Sequence, residues 1–95
     1  MGKNLLNLDE FYVFTFATTS HALKAEKVLK QVGLEFIIVP TLREISSSCG
    51  LSVKTPPELV NDINVRLEEE QVPVDAIYYV KKQGTRNQVT KKSIG

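Results

Sequence analysis

The chain has 95 residues, 42% of them hydrophobic and 24% charged, with a net charge of +1. A single domain of this size buries about two-thirds of its unfolded surface and needs no disulfide or metal staple. The near-neutral charge supplies no strong field for nucleic acid or a membrane surface, so neither is an expected partner. No apolar run approaches the ~20 residues of a membrane span. Met1–Leu8 lacks the unbroken apolar stretch and small-residue cleavage site of a signal peptide. Cys49, the one cysteine, cannot close an internal disulfide, and a free thiol lasts best in a reducing compartment, so the expected location is cytoplasmic.

Residues 1–10 are polar apart from three leucines. Phe11–Phe16 is aromatic and β-branched on both faces and reads as a central strand. Thr18, Thr19 and Ser20 then offer three successive N-caps for a helix over about His21–Val32, with Ala22, Ala25, Leu29 and Val32 on one stripe and Gly33 as its C-terminal stop. Leu34–Val39 is a second strand ended by Pro40, and Leu51–Lys54 a short third one. Thr55, Pro56 and Glu58 have the spacing of a capping box at the start of a second helix, about Pro56–Gln71, which buries Leu59, Val60, Ile63 and Leu67. Ala76–Val80 is the last strand. Beyond Lys82 the chain reads as a disordered basic tail: after Asp75 it carries Lys81, Lys82, Arg86, Lys91 and Lys92 and no acidic residue.

The order β-α-β-β-α-β predicts an α+β, ferredoxin-like sandwich over residues 9–82: an antiparallel sheet with two helices on one face. A right-handed crossover makes the first two strands parallel, with the third between them. The loop Pro40–Gly50 and the helix start Thr18–His21 should then be neighbours. The second face would leave apolar strand residues open, which suggests a partner or a homodimer through that face, or equally cover from a tail or from the segment of Leu5, Leu6 and Leu8.

The loop Pro40–Gly50 holds Ser46, Ser47 and Ser48 before Cys49 and Gly50 after it, and it looks too small and polar to enter a core. Its hydroxyls can donate to an anion, and Gly50 permits a turn or a close backbone approach. A helix N-terminus stabilises a thiolate placed there, and His21 and Arg43 are local cations that would add to the effect. Thr19 and Ser20 complete the expected site. The alternatives are plain: Cys49 as a small hydrophobe under a hairpin, His21 and Arg43 as solvated surface groups, the serines as turn formers. One Cys and one His cannot fill a structural zinc site, and no glycine-rich phosphate loop is present, so no metal or cofactor is expected. Strand three also lacks the stacking residues of RNA-binding sheets of this topology.

The segments Tyr12–Phe16 with Ser20–Glu26, and Pro40–Thr41 with Arg43–Gly50, resemble a small bacterial family described as selenium/sulfur carrier protein-like. The likeness runs from about Phe11 to Val80. It implies that Cys49 is the carrier atom, with His21 and Arg43 on motif positions. The Cys-Pro-x-Pro motif of other small sulfur carriers is absent, since Gly50–Leu51 follows Cys49. The expectation is a carrier without turnover of its own, loaded as a persulfide or selenosulfide by a donor such as a cysteine desulfurase and emptied by an acceptor protein. The alternative is a small non-enzymatic module that uses the same loop to bind an anion or a partner.

Overall fold

The computed structural model describes residues 8–45 and 49–92 of the chain. It contains β1 (Glu10–Thr15), α1 (Thr19–Val32), β2 (Ile37–Pro40), β3 (Leu51–Thr55), a 3-10 turn (Pro57–Leu59), α2 (Val60–Glu69), β4 (Ala76–Gln83) and β5 (Arg86–Lys91). The strands form one antiparallel sheet in the order β2-β3-β1-β4-β5. β1, apolar on both faces, lies between β3 and β4, and β2 runs parallel to it with β3 in between.

The alternation of β1 divides the core. Phe14 joins Phe16, Val53 and Ile77 under Ala22, Ala25, Val28 and Leu29 of α1 and Val60, Ile63 and Leu67 of α2, so both helices cover one face. Each of the larger buried side chains contributes about 1.5–3 kcal/mol by leaving water. Phe11, Val13 and Val80 lie on the other face with Ile45, and Leu8, Leu42, Tyr78 and Val89 pack against them. Phe11, Val13 and Val80 are therefore buried by the chain itself, at 4%, 1% and 0% exposure. The apolar surface that suggested a homodimer is covered by Leu8 and by the loop after β2; Leu5 and Leu6 lie outside the described residues.

Several expectations change. Residues beyond Lys82 form a fifth strand instead of a disordered tail: Gly84, with φ +63°, and Thr85 turn the chain so that Gln83 pairs with Arg86. β2 begins at Ile37, three residues later than expected. Val28 is buried, and Val32, the last residue of α1, is exposed. The capping box does not form: Thr55 ends β3 and donates its hydroxyl to the Glu35 carbonyl at 3.0 Å, and a 3-10 turn precedes α2 without a side-chain cap. At the other end of α2 the left-handed residue is Gln71, φ +57°, where glycine is usual.

Candidate functional site

Three candidate caps precede α1, and Thr18 takes the role. Its backbone is extended, and its hydroxyl accepts the His21 N–H at 3.2 Å. Thr19 thereby becomes the first residue of the helix. No acidic side chain sits in the first turn, so nothing there offsets the positive end of the helix dipole.

The loop after β2 is closed by Thr41. Its N–H donates to the Gly50 carbonyl at 2.9 Å and its hydroxyl to the Cys49 carbonyl at 3.1 Å. With the one Thr41 proton used on that carbonyl, the Ser52 hydroxyl is the donor in the 2.7 Å bond between the two side chains. A second turn, Ile45 N–H to Leu42 carbonyl at 3.0 Å, lets Leu42 and Ile45 reach the sheet face opposite the helices.

Cys49 is 2% exposed and belongs to the core beneath the helices. The loop is thus not wholly polar and superficial: it plants Ile45 in one half of the core and Cys49 in the other. Cys49 Sγ accepts the Leu51 N–H at 3.4 Å and lies 3.9 Å from Thr19 Oγ1. The sulfur and the start of α1 are neighbours, which is the juxtaposition the topology implies.

The other expected site residues are distributed around this pair. Ser20 is exposed on the first turn. His21 is half-buried, and its Nδ1 is shielded from water with no hydrogen-bond partner. Arg43 is exposed and lines a pocket with Phe11 and Val13, on the face away from Cys49. Ser46, Ser47 and Ser48 lie outside the described residues. Gly50 is not in the left-handed region, and a Cβ there would meet nothing within 4 Å, so the local backbone does not require glycine. Thr41 was not singled out from the sequence as a site residue. Its signals were its place, immediately after the strand-ending Pro40 and eight residues before the cysteine, and its membership of the Pro40–Thr41 segment that carries the family resemblance.

The same opposite face carries a cation. Lys54 on β3 is 7% exposed, with Nζ 4.1 Å from the centroid of the Phe11 ring. Burial lowers its pKa from 10.5, and the charge of Lys82 lowers it further.

Among the described residues no helix is long and apolar enough to cross a membrane. Neither the curated proteins nor the solved structures contain a match to the chain. One family profile does match, over residues 11–79. That span runs from β1 into β4 and takes in Thr19, Thr41 and Cys49, and the chain accordingly belongs to the Putative Se/S carrier protein-like family.

Proposed function

We propose that Cys49 is a sulfur- or selenium-accepting atom, loaded by a donor protein and unloaded by an acceptor. The observation that carries this reading is the setting of its Sγ, which accepts the Leu51 N–H and lies 3.9 Å from the Thr19 hydroxyl, in a first turn of α1 that holds no acidic residue. In the loading step the Cys49 thiolate attacks the outer sulfur of a donor persulfide. The donor S–S bond breaks, its inner sulfur leaves as a thiolate, and Cys49 gains the outer sulfur as its own persulfide. No net oxidation occurs. A cysteine desulfurase is a donor of the right chemistry, and the selenium counterpart of the product is a selenosulfide. With no second cysteine in the chain, the cargo cannot be expelled by an internal disulfide. The β2-β3-β1-β4 part of the sheet with its two helices reads best as a ferredoxin-like unit to which β5 is added.

Burial of Cys49 favours a second reading, in which the sulfur only packs and the loop binds an anion or a partner without covalent chemistry. Intact mass after incubation with a cysteine desulfurase and cysteine separates the two. The carrier gains the mass of one sulfur atom, lost again on reduction, and Cys49→Ala gains none. Equal gains on both chains, or none on either, remove the carrier reading for that donor.

A further inference from the structure

The net charge of +1 hides an uneven distribution. Lys81, Lys82, Arg86, Lys91 and Lys92 all lie on the β4–β5 hairpin or directly after it, and no acidic residue follows Asp75. Lys81, Lys82, Arg86 and Lys91 are exposed, and among the described residues no ion pair neutralises any of them. Glu10, opposite Lys81 on β1, accepts the Tyr79 phenol instead. Alternation along the strands puts Lys81 and Arg86 on the side of the sheet that carries Ile77, and Lys82 and Lys91 on the side of Val80.

β5 is also an edge strand. The Lys92 N–H bonds to the Ile77 carbonyl, so the ladder turns the N–H groups of Asn87, Val89 and Lys91 away from β4, along the open rim. Positive charge thus flanks both faces of a rim that itself offers hydrogen-bond donors. A flat acidic protein surface meets one face of such a rim at a time. A flexible phosphate chain can follow it and take cations and N–H donors together.

We propose that the outer rim of the β4–β5 hairpin binds the phosphate backbone of single-stranded nucleic acid without reading its sequence. Lys81, Lys82, Arg86 and Lys91 supply the charge, and the outward N–H groups of β5 supply hydrogen bonds. The loop that carries Cys49 joins β2 to β3 on the other side of the sheet, so the surface does not rest on the carrier reading.

The test is fluorescence anisotropy of a labelled oligouridylate of about 12 nucleotides titrated with the full chain. Saturable binding is expected at about 50 mM salt. The logarithm of affinity should fall against the logarithm of salt with a slope of about −2 to −3, about 0.7 for each of three or four phosphates. Arg86→Gln and Lys91→Gln should each weaken binding about threefold, and the double variant about tenfold, with a shallower salt slope. Lys27→Gln removes the same charge from an exposed site on α1 and should leave binding unchanged. Polyglutamate of similar charge, which brings no sugar or base surface, should bind at least about tenfold more weakly. No saturable binding at about 50 mM salt, or a salt-independent affinity, overturns the proposal. So do unchanged binding by the double variant, equal weakening by Lys27→Gln, or polyglutamate binding as tightly as the RNA.

Discussion

The Thr41 and Ser52 hydroxyls are 2.7 Å apart, and the same Thr41 oxygen donates to the Cys49 carbonyl at 3.1 Å. Two residues thus pin the ends of the cysteine-bearing loop to each other and to β3. Thr41→Val keeps the shape and removes this link, leaving a part-buried carbonyl and a buried Ser52 hydroxyl without it. The expected loss is about 1–3 kcal/mol of unfolding free energy by chemical denaturation. The loop should also loosen, seen as faster alkylation of Cys49.

The burial of Cys49 predicts that alkylation needs an opening of the loop. Iodoacetamide should modify the native chain at least about tenfold more slowly than the unfolded one, and low denaturant should speed the reaction. Burial also decides which substitution makes the cleaner control. Cys49→Ser places a hydroxyl in a largely apolar setting and costs about 1–3 kcal/mol where that hydroxyl is poorly satisfied. Cys49→Ala leaves only a small void and should melt closer to the parent.

Gln71 holds a left-handed backbone that closes α2, with Val72 N–H on the Leu67 carbonyl at 2.9 Å. Its side chain is exposed, so glycine there loses little and relieves the steric strain. Gln71→Gly should raise the unfolding free energy by up to about 1 kcal/mol. A decrease would mean that the Gln71 side chain stabilises the turn more than its backbone strains it.

Lys54 and Tyr79 give stability opposite slopes in alkaline solution. The folded pKa of Lys54 lies below 10.5, so between that value and 10.5 the unfolded chain holds a proton that the folded one has shed, and stability rises with pH. Tyr79 donates its phenol to Glu10 at 2.6 Å, and this hydrogen bond raises its pKa above 10.0. Its contribution is complete below pH 10.0 and fades as pH rises through the folded value. Comparing the parent with Lys54→Met cancels the tyrosine. The parent should gain stability relative to the variant as pH climbs toward 10.5 and level off above it. A flat difference across that window would show Lys54 to be solvated like an ordinary lysine.

Much of the sheet was legible because β1 is apolar on both faces and the caps of α1 are local signals. Gly33 needed no tertiary context, whereas Thr18 was one of three candidate caps and α1 begins at Thr19, two residues before the expected His21. β5 was hidden because Arg86–Lys91 has one apolar residue, Val89, although Gly84–Thr85 already had the chemistry of a two-residue hairpin. The Thr55 capping box failed because the Glu35 carbonyl, distant in sequence, competes for the hydroxyl. The serines beside Cys49 suggested a solvated loop, whereas Thr41 bonds and the anchoring of Leu42 and Ile45 decide where the sulfur sits. Lys54 was invisible for a related reason. Alternation places it on a face, but only the folded loop buries that face.

The β4–β5 hairpin has a bearing on solubility. Without β5, the rim of the sheet would be Ala76–Val80, a run with two tyrosines, an isoleucine and a valine whose backbone groups would be free to pair with another chain. β5 takes up that pairing and presents Arg86, Gln88 and Lys91 in its place, side chains that resist stacking between molecules. A chain cut at Lys82 would keep its cysteine and both helices and still lose its protection against precipitation.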